Sequence, residues 1–149
     1  MKVLKPDNYI EKINSYTALD WKPLLDMIPE IAVTTDFGSV DEALDFEKTG
    51  VLYMSPYIKS EITMKFLDVV YGIPIAIDFN WGAWDEGRKI VSDENFDYDT
   101  IDIPEKCKII TAIVRNDRFC DGRLIEAFES GMMLKVLRSI EKQVGLINE

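Results

Sequence analysis

The densest gathering of chemically capable side chains in this chain is Arg115-Asn116-Asp117-Arg118-Phe119-Cys120-Asp121-Gly122, with Arg123 directly after it. The octet falls between two segments of helical pattern, which places its end at a helix N-terminus. Free backbone N–H groups and the helix macrodipole attract anions there. Arg115, Arg118 and Arg123 could complete a phosphate pocket, with Gly122 allowing close backbone approach. A purely structural account fits the same residues: Asp117 and Asp121 cap the following helix and pair with the arginines, and Phe119 anchors the turn to the core. Cys120 lies where arginines and a helix start lower a thiol pKa, but a thiol nucleophile needs a base and the chain has no histidine. A packed, inert thiol is the expected state of Cys120, and Cys107, in an apolar stretch, is expected in the core.

Two further groups merit the same reading. Trp81 and Trp84 stand three apart with Arg88 one turn on, a spacing that could stack an adenine or a cation and that equally describes a core-facing aromatic stripe. Asp93-Glu94-Asn95-Phe96-Asp97-Tyr98-Asp99 resembles a calcium loop only superficially. Tyr98 occupies the position of the turn glycine and Pro104 that of the bidentate glutamate, so a solvated acidic loop is expected. The missing histidine excludes Ser-His-Asp and Cys-His catalysis and His-ligated metals, and two cysteines cannot build an all-cysteine zinc site. No cofactor and no metal is expected.

The elements that must position these groups are mostly helical. A first helix is expected from near Asp7, with Tyr9, Ile10, Ile13 and Tyr16 at helical spacing. A second follows Asp20 as N-cap, with Trp21, Leu24, Leu25 and Ile28 inward and Pro29 as its end. Ile31 to Gly38 reads as a short strand or loop, and Ser39-Val40-Asp41-Glu42 as a capping box opening a short helix through Glu47, with Gly50 as stop. Ser55-Pro56 opens a long helix carrying Ile58, Ile62, Phe66 and Val69 or Val70, ended by Gly72 and Pro74. Asp78 or Asn80 caps a helix bearing Trp81, Trp84, Arg88 and Val91 on one face. Pro104 starts a helix that is apolar on more than one side and so central, with a break at Asn116-Asp117. Asp121 caps a final stretch, in which Gly131 either interrupts the helix or permits a close crossing. The fold class implied is mainly α, a compact bundle of about six or seven helices with a small two- or three-stranded sheet at most.

Length and composition fit one globular domain over residues 1–149. Lys plus Arg is 17 and Asp plus Glu 27, a net charge of −10 that repels phosphate backbones and anionic lipid at long range. Nucleic-acid and membrane partners are therefore not expected, whereas a basic protein partner is compatible. The N-terminus has no apolar core before Pro6, and the sparse cysteines suit a reducing cytosol.

The octet, together with Phe128-Glu129-Ser130-Gly131, Leu137-Arg138 and the upstream Phe79-Asn80-Trp81-Gly82-Ala83-Trp84, resembles an uncharacterised bacterial domain family. Its C-terminal block reads Arg-x-Asp-Arg-Phe-Cys-(Glu/Asp)-Gly followed by Phe-Glu-Ser-Gly and an Ile-Leu-Arg helix. The resemblance covers about residues 78–142. Related domains are sometimes attached to macrodomains, so the resemblance implies an accessory role near ADP-ribose or nucleotide chemistry, an inference by association rather than from a site. The chain departs from the pattern at Asn80, where an acidic residue is usual, and at Arg123, where a histidine often follows the glycine; the second departure argues against an enzyme. The expected function is a non-catalytic binding or accessory domain that takes a protein partner or a nucleotide-like anion, through Arg115, Asp117, Arg118, Asp121, Gly122, Arg123, Trp81 and Trp84. The rivals are a small enzyme acting on a nucleotide or ADP-ribose conjugate, and an acidic inhibitor of a basic partner.

Overall fold

The computed structural model describes residues 3–40, 57–117 and 122–147. Within them the apolar periodicity resolves into eight α-helical segments: α1 (Tyr9–Asn14), α2 (Ala18–Leu25), α3 (Met27–Val33), α4 (Glu61–Gly72), α5 (Asp85–Ser92), α6 (Ile103–Asp117), α7 (Arg123–Glu129) and α8 (Met132–Ile147). Asp26 alone separates α2 from α3. β1 (Gly38–Val40) and β2 (Tyr57–Lys59) form a two-stranded antiparallel sheet with Ser39 opposite Ile58. Short 3-10 turns occupy Trp81–Ala83 and Tyr98–Thr100. The expectation of a mainly α bundle with a small sheet holds.

The most apolar helix lies at the centre, as its composition requires. α6 buries Ile103, Cys107, Ile109, Ile110, Ile113 and Val114, spread around most of its circumference. α8 covers it with a single stripe, Met133, Val136, Leu137, Ile140 and Val144. Phe128 of α7 stacks on Phe37 at 4.8 Å between ring centres and meets Phe66 of α4 edge-on at 5.1 Å, joining three elements in one aromatic contact. The apolar run after α4 is extended and buried at Ile75, Ala76 and Ile77. Leu4 bridges it through Leu4 N to Ala76 O and Asp78 N to Leu4 O, both 2.7 Å. The amide of Ile77 donates to Thr111 Oγ1 at 3.1 Å, and that hydroxyl donates to Cys107 O, so the polar Thr111 is satisfied inside the core.

Several local expectations are corrected. Thr17, not Asp20, caps α2: its hydroxyl accepts from Asp20 N while the Asp20 carboxylate accepts from Thr17 N, a reciprocal capping box. Pro29 does not end a helix. It is the third residue of α3, where the backbone N–H it lacks would have had no intrahelical partner. Ile31 belongs to α3, and the strand begins only at Gly38. Ser39 and Val40 lie in β1 instead of opening a helix; the helix expected through Glu47, the stop at Gly50 and the Ser55-Pro56 start lie outside the described residues. Ile58 is in β2 and 51% exposed, because pairing with Gly38–Val40 overrides its helical spacing, and α4 begins only at Glu61. Neither Asp78 nor Asn80 caps α5. Trp81 sits in a 3-10 turn and α5 starts after Trp84. The break expected at Asn116-Asp117 falls at the end of α6, whose last residue is Asp117. Gly131, at φ +83°, interrupts the last helical stretch and separates α7 from α8.

One glycine is fixed by packing. A Cβ on Gly87 would lie 2.2 Å from Cε3 of Trp84, inside the indole ring that begins α5. Gly87→Ala is expected to lower stability by about 1–3 kcal/mol through displacement of that indole. Thermal melting checks it: an unchanged Tm would mean the ring can move aside freely.

Candidate functional site

α5 and α7 both pack on α6 and make little direct contact with each other. The gap between them is a half-open groove of about 1040 Å³. Ala112, Ile113 and Asn116 of α6 form its floor. Trp81, Trp84, Arg88 and Val91 form one wall, and Arg123, Glu126, Ala127 and Ser130 the other. The turn after α5, at Asp93, Glu94, Asn95 and Tyr98, closes one end together with Met132 and Lys135 of α8. Among the described lining residues Arg88, Arg123 and Lys135 offset Asp93, Glu94 and Glu126, so the groove is locally neutral in a chain of net charge −10.

The groove's two arginines make only long ion pairs with carboxylates. Arg123 Nη1 lies 3.8 Å from Glu126 Oε2, with the two side chains 51% and 70% exposed. Arg88 donates to the carbonyl of Gly82, and its other terminal nitrogen lies 3.8 Å from Asp85 Oδ1. Such long, solvated pairs contribute little and yield to a competing anion. Trp84 has already found a cation within the chain: Lys108 Nζ lies 4.3 Å from its ring centre and 5.1 Å from that of Phe79, which meets Trp84 edge-on at 5.5 Å. Trp84 thus stands as a braced wall, with Trp81 half-buried beside it.

Of the residues singled out in sequence, Trp81, Trp84 and Arg123 come together here. Arg115, in the last turn of α6, is half-buried and does not line the groove. Asp117 is buried and committed elsewhere. Its Oδ1 accepts from Leu124 N at 3.1 Å, capping α7 from a distance, and its Oδ2 lies 3.1 Å from Lys59 Nζ. The carboxylate expected to cap does so, and its cationic partner among the described residues is Lys59 of β2. Gly122 precedes α7 at φ +93°, a left-handed conformation that glycine adopts without strain. Arg118, Phe119, Cys120 and Asp121 lie outside the described residues. Sequence reasoning missed the groove's floor. Its trace was there in the half-buried stripe Lys108, Ala112 and Asn116, four residues apart on the otherwise greasy α6.

The ionisable groups pushed furthest from their ordinary values lie away from the groove. Burial pushes the Cys107 thiol far up, which makes it the inert core cysteine expected. Burial also raises the Tyr16 phenol to about 12, with smaller contributions from Cys107 and Asp20, while its hydroxyl donates to Pro74 O at 2.6 Å. Lys106 is the anomaly. Its side chain is fully buried in α6, and Nζ has no hydrogen-bond partner among the described residues. Burial lowers its pKa to about 8 against the opposing pull of Asp99 and Asp102.

A lysine whose folded pKa lies below its unfolded value of 10.5 weakens the fold while protonated. The contribution of Lys106 to stability should therefore rise as pH climbs from about 8 toward 10.5, opposed above about pH 9 by the raised thiol of Cys107. Lys106→Met should abolish this rise and stabilise the protein at pH 7 by about 2 kcal/mol. Denaturant titrations at pH 7.5 and 9.5 on both proteins check it; parallel pH profiles would refute it. Asp117→Ala should cost about 2–3 kcal/mol, since it removes a buried cap and leaves Lys59 unpaired. An unchanged denaturation midpoint would show that neither contact matters.

No curated protein and no solved structure matches the chain. A family model does match, over residues 16–145, a span that takes in the floor and both walls of the groove. The chain therefore belongs to the family of unknown function DUF6508.

Proposed function

We propose that this protein is a non-catalytic binding domain whose working surface is the groove between α5 and α7, and that its ligand is a nucleotide-like anion of the ADP-ribose kind. The supporting observation is the convergence of Trp81, Trp84, Arg88 and Arg123 on one cleft of about 1040 Å³. Indole walls suit a flat heterocycle, and guanidinium groups in long, exposed pairs can exchange a carboxylate for a phosphate. The cleft is at the upper end of the size range of small-molecule sites, enough for an extended ligand.

The chemistry around the groove favours binding over catalysis. The chain has no histidine. Among the described groups with shifted pKa values, Tyr98 alone borders the groove, and burial raises its phenol away from neutrality. The buried thiol of Cys107 is not among the groove's lining residues.

Titration with ADP-ribose and with AMP, followed by tryptophan fluorescence and calorimetry, tests the reading. Quenching and heat are expected for the native protein. About tenfold weaker binding is expected for Arg123→Ala and for Trp81→Ala, with little change in Tm. No heat and no quenching at millimolar ligand would discard the proposal, as would native affinity in both variants.

A further inference from the structure

One face of α8 carries Lys135, Ser139, Lys142 and Gln143, and all four grip the segment that joins α5 to α6. Lys135 Nζ donates to Glu94 O at 3.3 Å, and Gln143 Nε2 to Ile101 O at 3.0 Å. Between them a single carboxylate takes two bonds: Ser139 Oγ donates to Asp99 Oδ1 at 2.5 Å and Lys142 Nζ to Asp99 Oδ2 at 2.6 Å. The gripped segment has no regular structure beyond one 3-10 turn, Tyr98–Thr100; its Phe96 and Tyr98 rings meet edge-on, and Tyr98 is buried in the core. Its far side borders the groove through Asp93, Glu94, Asn95 and Tyr98.

This arrangement encloses unmet polar demand. Lys106 Nζ and Gln143 Oε1 are both buried with no hydrogen-bond partner among the described residues. Gln143 is one of the gripping residues, and Asp99 is the carboxylate that acts most strongly on Lys106. Holding the segment down keeps a donor and an acceptor away from water, and lifting it would let both be solvated. The closed state rests on those polar bonds and on the Tyr98 ring seated in the core with Phe96 and Ile101 packed beside it, set against the cost of those two groups. Such a balance marks a segment that opens at lower free energy than the core around it.

We propose that residues 93–102 form a strap that opens as a unit while the helical bundle stays folded, with Asp99 as its latch to α8. Opening brings the Lys106 amine into water and removes one end wall of the groove. The strap is a property of the fold and stands whether or not the groove takes a nucleotide.

Amide hydrogen exchange read by mass spectrometry, run beside acetylation of lysines by an N-hydroxysuccinimide ester on the full chain, tests this. In the native protein, strap amides should exchange and Lys106 should acetylate at least about tenfold faster than the core of α6 and α8 exchanges. Asp99→Ala should speed both events by about tenfold more and leave core exchange nearly unchanged. If that variant does not fold, Lys142→Met removes one of the two latch bonds and is read in the same way. Acetylation of Lys106 at the rate of core exchange would overturn the proposal, because global unfolding would then be the route to it. Equal acceleration of strap and core in the variants, or no acceleration at all, would overturn the role of Asp99.

Discussion

The structure depends on the burial of α6. A helix with Ile109, Ile110, Ile113, Val114 and Cys107 on several sides cannot rest at a surface, so every neighbour is placed by the need to cover it. α8 does so with a continuous apolar stripe, α7 with Leu124, Ile125 and Phe128, and the buried run Ile75–Ile77 through the bond to Thr111. The side of α6 that carries Lys108, Ala112 and Asn116 has less apolar surface to hide, and there the cover is incomplete. The groove is the consequence: two short helices lean on a common support and leave its least greasy stripe open between them.

Polar groups inside the bundle follow two opposite courses. Thr111 both accepts and donates, and so ties the extended run to α6. Asp117 divides its two oxygens between the start of α7 and Lys59 of β2, and so ties the sheet to the bundle while satisfying the Leu124 N–H that would otherwise be bare. Lys106 Nζ and Gln143 Oε1 are buried without a partner among the described residues, near the segment that α8 grips through charged and polar contacts while Tyr98 seats it in the core. Satisfied groups of the first kind make the structure rigid; unsatisfied ones of the second kind mark where it can give way.

The groove and the gripped segment share residues, so the shape of one end of the groove depends on contacts made on the far side of that segment. The aromatic wall is less adaptable. Trp84 is fixed between Phe79, Lys108 and the missing side chain of Gly87, which leaves it to act as a surface rather than as a moving part.

The sequence alone determined what short-range physics controls. The helical character, the central place of the Pro104 helix, the burial of Cys107, the end of α4 at Gly72 and the interruption at Gly131 all follow from spacing, apolar content and the conformational limits of proline and glycine. Tertiary structure alone decided the partners of Ile58, Asp117, Trp84 and Arg123. Ile58 left its helical spacing for a strand across from Ser39; Asp117 met Lys59; Trp84 met Lys108; and Arg123 joined the tryptophans across a gap that no local pattern describes. Such choices are made by contacts between residues far apart in the chain, whose energies appear only once the intervening elements have packed.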